Sequence, residues 1–190
     1  MRVKSKWHKT DKPKTPQQVA SVIAFIIWRV TEETVTHIQK DKFEIASNQQ
    51  AFAMIEEFLA FFIQLTDRVA YMRLGGDLRG PVVQATAKRL AEILEENQLI
   101  RLGPPGEQSY QARFIALLNG RLGDYAMFDY ADEPDYPTLR YLGNRIMDLM
   151  PKQDQSWIID QIIEIEAPEA IKNVLKGLRD TLDPDSIALE

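Results

Sequence analysis

Charged and aromatic side chains on two predicted helices could together line a ligand pocket. Asp67 and Arg68 lie on the second predicted helix of the chain, and Arg121, Asp124 and Tyr125 lie on the fourth predicted helix. Arg121 falls within the apolar stripe of its helix, where a guanidinium requires a carboxylate partner because an unpaired buried charge is costly. Asp67 and Asp124 are the candidate partners. The set therefore predicts either a charged pocket between the two helices or a structural ion-pair network.

Acidic residues around His37 show part of the pattern of a helical metal centre. Di-metal helical bundles combine inward carboxylates with Glu-x-x-His pairs from two helices. Here Glu33 precedes His37 by four residues rather than three, and the sequence holds no second such pair. We therefore predict no metal site, and interpret Glu33 and His37 as a solvated pair one helical turn apart.

Two further patterns lead to ordinary structural interpretations. Glu92, Glu95 and Glu96 share a helix face and could hold Mg²⁺, but the second acidic pair that such a site needs is missing. Residues 75–81 combine glycines and an arginine ahead of a helix, as anion-binding loops do. They lack the Gly-Lys-Ser/Thr order of a phosphate-binding loop, so we predict a plain interhelical turn. No serine, histidine and aspartate set can be assembled, and we predict no catalytic residues.

The composition limits the possible chemistry further. The chain has 190 residues, no cysteine and two histidines, His8 and His37. Disulfides, iron–sulfur clusters, cysteine nucleophiles and thiolate zinc sites are therefore excluded. The apolar runs at 19–30 and 51–65 are too short or too charged to span a bilayer, which takes about 20 apolar residues. We expect a cytoplasmic protein without a signal peptide, a transmembrane segment or a cofactor.

Charge is distributed unevenly between the beginning of the chain and the rest. Residues 1–16 carry six basic side chains and one acidic side chain, a net charge of +5, whereas the remainder carries 17 basic and 27 acidic side chains, a net charge of −10. Lysines interleaved with an aromatic ring could neutralise phosphates and stack on a base. They could equally form a solubilising disordered arm, since chain termini are commonly loose. The candidate residues for binding nucleic acid or an anionic surface are Lys4, Lys6, Trp7, Lys9, Lys12 and Lys14.

Hydrophobic periodicity predicts helices along most of the chain. Apolar residues recur at spacings of three and four, and strand signals are weak. Thr15, Ser47 and Ser109 are suited to cap the first, second and fourth helices. The helices are expected at about 17–40, 47–74, 81–97, 109–128, 138–150, 154–165 and 168–182.

Two predictions concern individual helix faces. On the fourth helix, Ala112, Ala116, Gly120 and Gly123 form a stripe of small residues. A glycine costs a helix about 1 kcal/mol relative to alanine, so two of them indicate either that another backbone packs closely on this stripe or that the helix bends there. We predict that the helix is sandwiched between neighbours. The residues of the sixth helix that are expected to face the core are Trp157, Ile158, Ile162 and Ile165.

Together these patterns predict a single compact all-α domain of six or seven helices, with the second and fourth helices central. The domain is expected to span residues 16–183, between a disordered basic arm at 1–15 and a loose tail at 184–190. The main functional hypothesis is a non-enzymatic interaction or regulatory protein that binds another protein or forms a homodimer. One alternative is an enzyme or small-ligand binder with a charged interhelical pocket. A second alternative is weak nucleic-acid binding through the basic arm.

Overall fold

Helices make up all the regular elements of the described chain. The structure, a computed structural model, describes residues 13–41, 43–130 and 133–188, and no β-strand occurs within those ranges. The α-helices are α1 (Pro16–Lys40), α2 (Asn48–Arg73), α3 (Gly76–Leu102), α4 (Tyr110–Tyr125), α5 (Tyr136–Met147), α6 (Gln155–Gln161) and α7 (Ala167–Thr181). A π-helical turn, Ile162–Glu166, joins α6 directly to α7. Six helical rods therefore pack into one compact domain, which confirms the predicted all-α fold.

The residues predicted to cap α1, α2 and α4 form N-terminal caps in the structure. Thr15 Oγ1 accepts a hydrogen bond from the Gln18 N–H, and the Gln18 side chain accepts one from the Thr15 N–H. This reciprocal capping box satisfies two backbone donors that the helix itself leaves without partners. Ser47 and Ser109 each accept a backbone hydrogen bond at the start of α2 and of α4. Local signals therefore fix where these three helices begin.

A continuous α3 replaces the turn that was predicted at residues 75–81. The helix begins at Gly76 and runs through Pro81. A proline inside a helix removes one backbone hydrogen bond and usually breaks or bends it. Here Arg79 of α3 is hydrogen-bonded to Asp67 of α2. This contact joins the first turns of α3 to α2.

Buried side chains surround α2 on every side. All residues from 57 to 66 are buried, and α2 packs against α1, α3, α4, α5 and α7. Each aromatic or aliphatic side chain fully buried there contributes roughly 1.5–3 kcal/mol. The main contacts of α4 are with α2 and α3, and its central placement stays a prediction. None of the described helices combines the length and apolar character needed to cross a bilayer.

The small-residue stripe of α4 faces solvent, which corrects the prediction that another element packs on it. Ala112, Ala116, Gly120 and Gly123 are all exposed. A Cβ atom added to either glycine would meet no described atom within 4 Å. The spacing of the residues distinguished two faces of α4. It did not show that other helices pack only on the face with the large side chains. That face buries Tyr110, Phe114, Leu118 and Tyr125.

Two of the four residues predicted to face the core in and after α6 do not do so. Ile158 and Ile162 are buried as predicted, whereas Trp157 is 72% exposed and Ile165 is 47% exposed. The inward orientation predicted for these last two residues is therefore wrong. Trp157 belongs to α6 and points to solvent, although its neighbour Ile158 is buried. After α6, the π-helical turn adds one residue to the helical repeat. Glu166 consequently takes the inward position expected for Ile165, and it is 4% exposed.

A backbone bridge joins the two ends of the described chain. Lys14 and Ile187 form an isolated parallel β-bridge. The Lys14 N–H donates to the Ser186 carbonyl at 2.8 Å, and the Ala188 N–H donates to the Lys14 carbonyl at 3.0 Å. Ile187 is buried. The sequence predicted a loose tail from residue 184, but this bridge gives residues 186–188 defined partners.

Candidate functional site

The five predicted pocket residues divide between two separate ion-pair clusters. Asp67 accepts two hydrogen bonds from Arg79 of α3, at 2.8 and 2.6 Å. Arg121 donates two hydrogen bonds to Glu57 of α2, at 2.7 and 2.6 Å, so Asp67, one of its two candidate partners, is not the residue that it pairs with. Glu57 precedes Asp67 by almost three helical turns, which is about 15 Å at a rise of 1.5 Å per residue. One guanidinium cannot reach both carboxylates.

The first cluster surrounds Arg121 on the inner face of α4. Glu57 is 4% exposed, and its hydrogen bonds raise the pKa of the Arg121 guanidinium. Asp124, the other predicted partner, lies 3.8 Å from Arg121 and accepts a hydrogen bond from the Tyr141 hydroxyl. Burial raises the pKa of Tyr125 well above its usual range, and its hydroxyl has no hydrogen-bond partner among the described residues. Since the charges pair with one another, this cluster has the contacts of a structural network.

The second cluster lies beside Asp67 and Arg68, where a cavity of about 450 Å³ opens. Arg68 donates a 2.6 Å hydrogen bond to the Phe128 carbonyl and lies 5.2 Å from the centre of the Tyr130 ring. Burial raises the pKa of Tyr130 to about 12. Asp67 is held by Arg79, as described above. The charged groups that border the cavity are thus engaged with partners, and the three predicted pocket residues of α4 do not line it.

An open groove of about 550 Å³ lies between α1, the beginning of α2 and the end of α3. Its apolar lining comes from Trp28, Val35, Phe52 and Ile55, which are 7–9% exposed. Its polar lining includes Glu32, Thr36, Gln39, Asn48, Asn97 and Arg101. Its residues come from three helices whose relative placement no local pattern specifies, so the groove could not be predicted from the sequence.

Three metal-ligating side chains converge where the end of α1 meets the π-helical turn. His37 Nδ1 lies 2.8 Å from Glu166 Oε1 and 3.9 Å from Asp41 Oδ2. Gln161 Nε2 donates a hydrogen bond to Asp41 Oδ2 at 2.8 Å and another to Glu166 Oε1 at 2.9 Å. The hydrogen bond with Glu166 raises the pKa of the His37 imidazole. We call these four residues the His37 cluster.

The sequence identified His37 but not its partner. Glu33 is hydrogen-bonded to Arg29 at 2.9 Å, so the predicted Glu33–His37 pair is wrong. The i,i+4 spacing of His37 and Asp41 is a local signal for a contact between these two side chains, and the sequence carries it. Glu166 lies 129 residues from His37 and faces inward only because of the π-helical turn, for which the sequence carries no local signal.

The residues predicted to bind nucleic acid or an anionic surface fall mostly outside the described ranges. Lys4, Lys6, Trp7, Lys9 and Lys12 lie outside the described residues. Lys14 lies within them, and its backbone forms the bridge to Ser186 and Ala188.

Comparison of the chain with protein-family models, curated proteins and solved structures found no match. Its function is therefore inferred from the side chains and cavities described above.

Proposed function

We propose that this protein binds a segment of another polypeptide in the groove between α1, α2 and α3. The observation that carries the proposal is the pairing of apolar and polar linings in one open channel of about 550 Å³. Protein interfaces have this arrangement, with an apolar centre surrounded by a polar and accessible rim. An apolar side chain of the partner would complete the burial of Trp28, Val35 and Phe52.

The rim of the groove supplies charges that a polypeptide could match. Glu32 of α1 and Arg101 of α3 both line it, and among the described residues neither forms an ion pair. A partner segment with a basic group near Glu32 and an acidic group near Arg101 would be complementary, which favours specificity and rapid association. The amides of Gln39 and Asn48 can both donate and accept hydrogen bonds, as a peptide backbone requires.

Exposed apolar residues beside the groove favour a polypeptide over a small molecule. Ile100 is 81% exposed and Leu99 is 44% exposed. Ile100 lies one helical turn from Asn97 and next to Arg101, both of which line the groove. A small molecule confined to the groove would leave this apolar surface in water, whereas a longer segment could cover it.

The two alternative hypotheses have less support. An enzyme or small-ligand site at Asp67 would require free charged groups, but Asp67, Arg68 and Arg79 are engaged with partners. Nucleic-acid binding depends on candidate residues of which all but Lys14 lie outside the described ranges. Removing residues 1–14 would test that alternative, since phosphate binding by the arm would weaken steeply with added salt.

Selection from a random peptide display library tests the proposal directly. We expect the full chain to enrich peptides that combine an apolar anchor with charges of both signs. Ala46 is exposed and lines the groove, so A46W should fill it and lower peptide affinity at least about tenfold, a loss of about 1.4 kcal/mol. The matched control is A116W, on the exposed face of α4, which should bind as the wild type does.

Charge variants distinguish binding in the groove from binding elsewhere. E32K should weaken the selected peptides, and exchanging the complementary charge on the peptide should restore affinity. Failure to enrich any peptide, or equal affinity for wild type and A46W, would overturn the proposal. Sedimentation that revealed a dimer broken by A46W would instead make a second copy of this chain the occupant.

A further inference from the structure

We propose that His37, Asp41 and Glu166 bind one divalent transition-metal ion, of which Zn²⁺ is the best match. One ligand atom from each residue lies within 4.8 Å of the other two. An imidazole nitrogen and carboxylate oxygens are ordinary zinc ligands, at about 2.0–2.2 Å from the metal. Tetrahedral geometry at those bond lengths separates ligand atoms by about 3.3 Å. The site therefore needs only small side-chain adjustments to close around an ion.

The burial of Glu166 is the first argument for a cation. A carboxylate removed from water requires a compensating positive charge, and Glu166 is 4% exposed. Its nearest counterpart is the half-exposed His37 imidazole. A bound divalent ion would compensate Glu166 and Asp41 together, which one imidazolium cannot do.

The hydrogen bonds of Gln161 are the second argument. Its amide holds Asp41 Oδ2 at 2.8 Å and Glu166 Oε1 at 2.9 Å. Groups that orient metal ligands in this way typically contribute 10–100-fold to metal affinity. Each carboxylate keeps a second oxygen that can coordinate an ion.

Space beside the cluster is the third argument. A cavity of about 180 Å³ is lined by His37, Glu166, Glu33, Glu169 and Asn173. A catalytic or exchangeable zinc ion usually completes its coordination with water or a substrate atom, and the cavity has room for such a ligand. The additional carboxylate of Glu169 makes the surroundings electrostatically favourable for a cation, whereas that of Glu33 is paired with Arg29.

The position of the His37 cluster predicts that a bound ion would stabilise the folded protein. His37 lies in the last turn of α1, Asp41 directly follows that helix, and Glu166 belongs to the π-helical turn that leads into α7. A metal ion would connect these two helices across 129 residues of sequence. Binding to the folded state alone raises its stability.

Calorimetric titration of the metal-free full chain with ZnCl₂ tests the proposal. We expect one equivalent to bind, and the thermal midpoint to rise with Zn²⁺. E166Q keeps the size of the side chain and should lower zinc affinity by at least about tenfold. E169Q removes the same charge from the same cavity without removing a proposed ligand, and should change affinity by less than about threefold.

Three more variants complete the test, of which H37N removes the imidazole ligand and should weaken zinc binding as E166Q does. D41N alters an exposed residue after α1 and should weaken zinc binding. It therefore provides the test if E166Q does not fold. H8Q removes the other histidine of the chain and should leave the zinc site intact. The proposal is wrong if zinc does not bind saturably, or if H37N, D41N and wild type share one affinity.

Discussion

Among single residues, Glu57 and Arg121 form the buried ion pair whose loss should cost most. Glu57 is 4% exposed, and two hydrogen bonds join it to Arg121, whose side chain is 22% exposed. Removing one partner leaves the other charge uncompensated, which in buried pairs costs about 3–5 kcal/mol. The same side chains could be replaced together by apolar ones at much smaller cost.

We therefore expect R121M to lower the free energy of unfolding by about 3 kcal/mol in urea titrations. R29M, which breaks the exposed Arg29–Glu33 pair, should change it by less than about 1 kcal/mol. R121M and E57Q should be strongly non-additive, whereas R121M and D67N should add, because they belong to different pairs. Equal losses in R121M and R29M would contradict this account.

The carboxyl of Glu56 provides a pH-dependent prediction. Burial raises its pKa above the usual value near 4.5, although a hydrogen bond from Gln98 opposes the shift. A carboxyl whose pKa is higher in the folded state favours folding when protonated, and that contribution is lost as pH rises through the folded-state pKa. The ionised Glu56 is therefore unfavourable to the folded protein near pH 7.

E56Q should accordingly gain stability relative to wild type at pH 7, and the gain should shrink toward pH 4. Urea unfolding at the two pH values measures the difference. E96Q, which changes an exposed glutamate on α3, should show no such dependence. A stability difference between E56Q and wild type that does not vary with pH would contradict the prediction.

At the scale of the elements, the glycines of α4 and α7 occupy opposite environments. Gly120 and Gly123 face solvent with no described atom within 4 Å of an added Cβ. On α7, an added Cβ at Gly177 would lie 2.8 Å from Ile26 Cδ1 of α1. Only the last of these glycines is required by the packing.

Replacing these glycines by alanine should therefore have opposite effects. G120A and G123A should each raise the free energy of unfolding by up to about 1 kcal/mol, as alanine favours helix. G177A should lower it, because α1 and α7 must separate or Ile26 must shift. Thermal melts of the three variants measure the signs, and a destabilising G120A would contradict the exposed environment of α4.

Local signals explain how much of these elements could be predicted. The caps at Thr15, Ser47 and Ser109 depend on side chains within three residues, so the sequence located α1, α2 and α4 well. The partner of Arg121 depends on the height at which α4 crosses α2, and Glu166 depends on a π-helical turn. Neither is encoded in a short window, which is why the Glu57 pair and the His37 cluster appeared only in the structure.

At the scale of the whole molecule, α1 contributes to both proposed sites. Glu32 and Thr36 line the groove, and His37, the next residue, belongs to the His37 cluster. α1 also packs against α2, α3 and α7. A displacement of its last two turns would therefore reach both sites, and any coupling between their ligands would be reciprocal.

The bridge between Lys14 and Ile187 has a mechanical consequence. Its two segments run parallel, and its two hydrogen bonds lie on either side of Lys14. A tension applied between the ends of the chain pulls such segments past each other, so it loads both bonds together in shear rather than opening them one after the other. The force would reach α1 and α7 only after both hydrogen bonds of the bridge had broken.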